Sequence, residues 1–339
     1  MILRNTLFVL FFILSVFTAL AQDTRFSQFY AAPIHSNPGF TGATIEHRFV
    51  MNYRNQWPSI PGGFQAFHAT YEYNASDLNS GFGLIMGRED AGSFGLTTTT
   101  VAFSYAYRIR INRNTYLMPG LKFGYASRGI DFSKLVFNDQ LESNNSTTLD
   151  VDAFQEDNVN YLDISFGGLL YSENYWVGAS LNHVNEPNQT FLGDGEVSAL
   201  PKKFTLQAGY KFKLAGSLIN RMNAKDITVA MHYDAQGKYD QFDLGFYYTL
   251  QPIVFGVWYR GIQGLKAYDR GYANNDALVL LMGLSIPDRN LRLGYSYDIT
   301  ISRLATNTAG AHEISLIYEF ASKKSKRKSR RFLVPCAKF

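Results

Sequence analysis

Histidines, carboxylates and a single cysteine are the residues of this chain that could do acid–base, nucleophilic or metal chemistry. The six histidines, His35, His47, His68, His183, His232 and His312, are scattered. No HExxH, CxxC or GxSxG pattern occurs; Gly178-Ala-Ser180-Leu-Asn182 lacks the second glycine of a nucleophile elbow. Asn182-His183 beside Ser180 would suit a membrane-barrel hydrolase, but a polar strand end accounts for the same residues. His312-Glu313 likewise reads as rim polarity rather than an acid–base pair. Asp131, Asp139, Asp150, Asp152 and Asp157 could collect calcium, yet their spacing matches no calcium loop, and a solvated loop is the better reading. Cys336 is the one cysteine, which excludes an internal disulfide and a cysteine-based zinc site. The expectation is a protein without cofactor or metal, and no enzyme.

The elements that carry these residues are written in an alternation of apolar and polar positions. Val101 to Ile111, Phe242 to Leu250 and Leu291 to Asp298 are its clearest stretches. Successive side chains on a strand point to opposite faces, so each stretch has one greasy and one small or polar face. Fourteen strands are expected, at 47–56, 64–74, 80–87, 97–111, 115–128, 161–171, 175–184, 203–214, 226–234, 239–250, 253–261, 276–286, 290–298 and 311–320. Each is close to the ~9–11 residues that a tilted membrane-spanning strand needs. Long links at 129–160, 185–202, 262–275 and 299–310 fall on odd-numbered connections, and short turns at 112–114, 172–174, 251–252 and 287–289 on even ones. That sorting is the habit of outer-membrane barrels, whose long loops face outside; the link at 215–225 departs from it.

The faces sort too. Phe103, Tyr105, Tyr107, Leu121, Phe123, Leu206, Tyr210, Ile227, Val229, Met231, Phe246, Leu280 and Leu316 share the presumed lipid face, which carries no charge. The opposite face carries Arg54, Gln65, Lys122, Arg128, Asp163, Asn182, Asp243, Arg260, Arg292, Glu313 and Glu319, with Gly83, Gly120, Gly124, Gly167, Gly178, Gly256 and Gly294. Pro119 should forfeit one ladder hydrogen bond. The fold expected is all-β: a transmembrane, antiparallel, up-and-down outer-membrane β-barrel of about 14 strands. At ~4.8 Å between strands and ~40° tilt its backbone diameter is roughly 28 Å, wide enough that something fills it or it conducts.

Four regions follow. Residues 1–21 read as a signal peptide: Arg4, an apolar run from Leu7 to Phe17, and Ala19-Leu20-Ala21 at the cut. Residues 22–46, with Phe26, Gln28, Tyr30, Pro33 and Asn37-Pro38, are not strand-like and read as a periplasmic or plug-like segment, or else as a plain lead-in to the first strand. The barrel occupies 47–320. The tail 321–339 holds eight basic residues and no acid, so the net charge of +4 hides an acidic body of 23 basic against 28 acidic residues once Arg4 is set aside. A basic arm on an acidic body, with no basic stripe interleaved with aromatics, excludes nucleic-acid binding. The tail, with Lys326, Arg327, Arg330 and Arg331, reads as an electrostatic handle for an acidic periplasmic partner or anionic inner-leaflet lipid, or else as a disordered, solubilising end.

Ordered motifs carry a family resemblance over nearly the whole of the chain after residue 21. Gln22-Asp-Thr-Arg-Phe26-Ser-Gln28-Phe-Tyr30, Asn52-Tyr-Arg54-Asn-Gln-Trp57-Pro, Gly178 to Pro187 with Asn182-His183, Trp258-Tyr-Arg260-Gly, Gly294-Tyr295-Ser-Tyr297-Asp298 to Leu304 and Gly310-Ala-His312-Glu313 to Leu316 resemble the PorP/SprF family of the type IX secretion system. Pro335 to Phe339 is similar to a variant of that family's usual ending. The resemblance implies a non-enzymatic outer-membrane barrel of the secretion and gliding machinery. Its partners would be a secreted surface adhesin or other type IX cargo, periplasmic secretion or motor-associated components, and outer-membrane lipid. Candidate partner-binding residues are Phe26, Gln28, Tyr30, Arg54, Trp57, Asn182, His183, Arg260, Tyr295, Tyr297, Asp298, His312, Glu313 and the four tail cations named above. A passive channel for small solutes is the alternative. Both termini are expected in the periplasm and the long loops outside.

Overall fold

The computed structural model describes residues 23–93, 95–131, 158–191, 197–214, 225–237, 239–262, 276–301 and 308–321. The expected signal peptide, most of the Asp-rich link, and the basic tail beyond Ala321 lie outside the described residues. The strands are β1 (His47–Gln56), β2 (Phe64–Ala75), β3 (Ser80–Ala91), β4 (Leu96–Tyr107), β5 (Ile109–Arg110), β6 (Tyr116–Gly129), β7 (Asn158–Tyr171), β8 (Tyr175–Asn182), β9 (Lys203–Lys213), β10 (Lys225–Gln236), β11 (Tyr239–Leu250), β12 (Ile253–Ile262), β13 (Ala277–Ile286), β14 (Leu291–Thr300) and β15 (Ala311–Phe320). Apart from β4 and β5, which do not pair with each other, each pairs antiparallel with its sequence neighbours, and β1 pairs β15 from His47 opposite Phe320 to Gln56 opposite Ala311, which closes the sheet. β4 and β5 both pair with β6 and occupy one position in the wall, giving a closed barrel of fourteen strands.

Closure gives every strand of the wall a partner on both sides over most of its length, the condition for a sheet to sit in hydrocarbon. The side chains follow. Outward positions are apolar and exposed, such as Phe103 at 49% and Ile314 at 53%, whereas inward neighbours such as Ser104 and Glu313 are at 0%. This is the reverse of a soluble protein and fits a wall solvated by lipid. Among the described residues no helix is long and apolar enough to cross a membrane.

Departures from the expected elements are local and have local causes. The ladder of the fourth strand breaks at Arg108. By register that residue and Tyr107 face Met118 and Pro119, where proline offers no N–H; on the β3 side Arg108 N–H still donates to Asn79 O at 2.7 Å. The eighth strand stops at Asn182 because His183 takes a left-handed φ of 56°. Gln65, placed on the inner face by its polarity, is instead exposed on the outward side with Phe67, while Ala66, His68, Thr70 and Glu72 face the lumen. The odd-numbered end is not uniformly long, since β3–β4 and β10–β11 are tight hairpins there.

Candidate functional site

Residues 23–46 line the inside of the wall from one mouth to the other. Asp23 contacts His183, which follows β8, Lys203 at the start of β9, and Gln236 at the end of β10, all at the mouth with the long connections. Thr44 lies at the opposite, short-turn mouth, where its hydroxyl donates to Glu319 Oε1 (3.2 Å) and its carbonyl accepts from Asn74 Nδ2 (2.8 Å). The first and last described residues, Asp23 and Ala321, therefore sit at opposite mouths. The segment's composition keeps it out of the sheet. Pro33 opens a single helical turn, α1 (Pro33–Ser36). Pro38 opens a tighter turn to Phe40, in which Asn37 Oδ1 accepts from Gly39 N–H at 2.8 Å.

An ion cluster grips the first part of the segment. Glu313 of β15 accepts the main-chain N–H of Ser27 (2.7 Å) and of Gln28 (3.1 Å), one on each carboxylate oxygen. Ser27 Oγ accepts from Arg54 Nη1 (2.8 Å) and Arg260 Nη2 (2.8 Å), and donates to Asp298 Oδ2 (2.7 Å). Asp298 in turn accepts from Arg54 Nη2 and Arg260 Nη1, and Asp243 stands 3.5 Å from Arg260 Nε. One serine of the segment thus joins charged residues of β1, β12, β14 and β15. Buried charges are tolerable when paired, as these are, although Arg260 Nε donates and Asp298 Oδ1 accepts no hydrogen bond among the described residues.

Main-chain carbonyls hold the middle. Lys122 Nζ donates to His35 O (3.0 Å), while Ser180 Oγ (2.7 Å) and Asn182 Nδ2 (3.2 Å) donate to Ser36 O. Aromatic rings fill the space beside it: Phe29 stacks on His232 with centroids 4.1 Å apart and meets Trp258 edge-on, and Tyr30 meets Tyr247 edge-on. Further on, the wall is glycine where the chain presses against it. A β-carbon on Gly120 would lie 2.4 Å from Pro38 C, and one on Gly167 would lie 2.2 Å from Asn37 Oδ1. Gly42 N–H then donates to Glu72 Oε2 at 3.0 Å.

At the long-connection mouth His183 bridges two carboxylates, Asp23 Oδ2 through Nε2 (2.7 Å) and Asp163 Oδ1 through Nδ1 (2.9 Å). Burial pulls the imidazole down, but Asp23 and Asp163 outweigh it and hold His183 up at about 9. Burial would raise Asp23, yet His183 and Lys203 hold it well below the usual carboxylate range. A hollow of about 380 Å³ opens beside this latch, lined by Arg25, Trp57, Tyr239 and Asp276 among others, and a cavity of about 100 Å³ lies deeper, against His35, His68, Lys122 and His183.

The candidate residues thus divide. Phe26, Gln28, Tyr30, Arg54, Asn182, His183, Arg260, Asp298 and Glu313 meet in the lumen. Trp57 stands at the mouth, with N–H donating to Gly310 O. Tyr295, Tyr297 and His312 occupy the other face of the wall, where Tyr295 Oη and His312 Nδ1 are 2.8 Å apart and the rings of Tyr297 and His312 pack at 4.8 Å. Lys326, Arg327, Arg330 and Arg331 lie outside the described residues. Sequence reasoning passed over Ser27, Asp23, Lys203 and Glu72. Inward parity beside His68 and Thr70 would have found Glu72; nothing local marks Ser27 as the centre of an ion cluster. Among the described residues no group of three or more metal-ligating side chains converges on a point.

A comparison with solved structures returns other barrels. A triple-mutant porin of Rhodopseudomonas blastica is 9% identical, covers 81% of this chain and 98% of its own, and superposes with a TM-score of 0.34. The toluene transporter TodX of P. putida is 11% identical, covers 85% of this chain and 93% of its own, with a TM-score of 0.43. A search of curated proteins gave no match. The family described as type IX secretion system membrane protein PorP/SprF matches residues 18–318. With that match spanning most of a closed outer-membrane barrel, the chain belongs to the PorP/SprF family of type IX secretion system membrane proteins.

Proposed function

We propose that this barrel is a non-enzymatic holder in the outer membrane, which binds, secretes or anchors a partner surface protein of the adhesin kind, and that it is not a solute channel. One observation carries the reading: segment 23–46 crosses the lumen from mouth to mouth, tied by hydrogen bonds to a buried ion cluster of the wall near one end and to Glu72 and Glu319 at the other. A channel needs a water path; here the axis is taken by protein that the wall is shaped to receive. With long connections outward, the Asp23 end of the segment and the mouth hollow face the cell exterior, and the short turns and the basic tail face the periplasm. Surface loops would then hold the cargo while the tail, through Lys326, Arg327, Arg330 and Arg331, recruits acidic periplasmic components.

Deleting the gene tests this. The expected result is loss of one surface protein from the cell exterior, into the medium or the periplasm, with small-solute uptake unchanged. Normal surface display together with impaired uptake of a small solute would favour the channel. Removal of 321–339 should leave barrel insertion intact and abolish pull-down of periplasmic components; an unchanged pull-down would sink the role given to the tail.

A further inference from the structure

The seam between β7 and β8 is shorter than the strands could make it. β7 pairs β6 along its whole length, from Asn158 opposite Gly129 to Tyr171 opposite Tyr116. On its other side β8 covers only Phe166 to Tyr171. The cause is His183, whose left-handed backbone turns the chain out of the ladder. One further rung follows: Val184 N–H donates to Ile164 O (2.9 Å). The next partner is a side chain. Asn185 Oδ1 accepts from Ile164 N–H (3.0 Å) and Asn185 Nδ2 donates to Leu162 O (2.6 Å). A side-chain amide is the same chemical group as a peptide unit, and here it sits where the peptide unit of a neighbouring strand would.

Even-numbered residues of this stretch thus direct their main-chain groups toward the β8 side. Beyond Leu162 the edge continues through Asn160 and Asn158, which are exposed and have no strand alongside on that side among the described residues. Leu162 is 66% exposed on the outward face. Neither lysine nor proline guards the edge, the usual devices against strand addition.

We infer that the Asn158–Leu162 edge of β7 is a docking site for an extended polypeptide strand, which would run antiparallel to β7 along the line that β8 leaves at His183. Its occupant is a strand of the exported partner, and to that extent the inference rests on the proposed function. The complementarity is that of main-chain donors and acceptors, as in other β-strand additions. Asn185, already seated on two of these groups, shows that an amide is accepted there. The positions of the added strand beside Leu162 should be apolar on the outward face, and small or polar toward Tyr161 within the lumen.

The test uses full-length protein in detergent micelles and a fluorescent ten-residue peptide of alternating valine and threonine, flanked by lysines. Binding to the native protein is expected. Asn160→Pro removes an N–H that no described strand pairs, without touching the β6 ladder, and should weaken binding at least tenfold, with heat-modifiable gel migration confirming a folded barrel. Asn185→Ala vacates the edge and should strengthen binding several-fold, a readout independent of the proline variant. A benzophenone side chain at Asn160 should crosslink to the peptide. Absence of peptide binding, equal binding by Asn160→Pro, or benzophenone products confined to the same chain would overturn the inference. Surface display of the partner, intact in a strain whose protein fails the peptide test, would leave the proposed function standing and remove the strand site alone.

Discussion

Between Asp23 and Gln28 the lumen segment is held chiefly by charged groups of the wall, whereas from Ile34 to Gly42 the fit depends on shape and main-chain hydrogen bonds. In the first part Glu313, Asp298, Arg54 and Arg260 surround Ser27. In the second, Gly120 and Gly167 leave room for Pro38 and Asn37, and Met118, Leu169 and Trp176 pack with Ile34 and Phe40. The difference teaches how a barrel with a greasy exterior can order its interior. Ion clusters fix register, because a displaced charge is left buried and unpaired. Glycine seats fix distance, because backbone can approach only where no β-carbon stands.

The comparison is broken most severely at Glu313. Glu313→Ala leaves Arg54 short of a partner and strands the N–H groups of Ser27 and Gln28. Removing one member of a buried charge cluster costs about 3–5 kcal/mol. Urea unfolding in micelles should show a loss of that size, and Glu313→Gln, which still accepts hydrogen bonds, a smaller one. Equal stability of Glu313→Ala and native protein would remove the ion cluster from the account.

The shape-fitted part should respond to volume. Gly120→Val places atoms where Pro38 already lies, and overpacking of this kind costs about 1–3 kcal/mol. Gly168→Ala is the contrast, because a β-carbon there meets nothing within 4 Å, and it should be close to neutral. If both variants unfolded at the same urea concentration, the glycine seat would carry no special fit.

A smaller effect is expected at the mouth. His183 titrates at about 9 in the fold against an ordinary value near 6.5. Its folded value is raised, so its contribution is complete below about pH 6.5 and is lost as pH climbs through about 9. The Asp23 end should loosen over that window. Tryptic cleavage after Arg25, corrected with a free peptide of the same sequence, should rise several-fold from pH 6.5 to 9, and His183→Gln should flatten the profile. An identical pH profile in that variant would take His183 out of the latch.

The wall was legible in the sequence because strand periodicity is local: from Val101 to Tyr107, or from Leu291 to Asp298, each residue announces its face by its type. The ends were less so. His183 looks like a continuation of β8 until its left-handed backbone is seen, and Gln65, polar near the end of a strand, does not reveal that it stands with the lipid-side residues. The lumen was the least legible part. Ser27 and Glu313 meet across the whole chain, and no local pattern couples them. Tyr295, Tyr297 and His312 share motifs with Asp298 and Glu313, yet one step of strand parity puts them on the other side of the wall. The inward glycines could be read from parity; that Pro38 and Asn37 press against them could not.

Planar-bilayer conductance of the full-length protein tests the central claim most directly, that segment 23–46 closes the lumen. The native protein should show no steady open current, and Glu313→Ala, with the grip on Ser27 and Gln28 released, should show frequent openings. A stable ohmic pore in the native protein, unchanged by Glu313→Ala, would contradict a lumen closed by its own N-terminal segment.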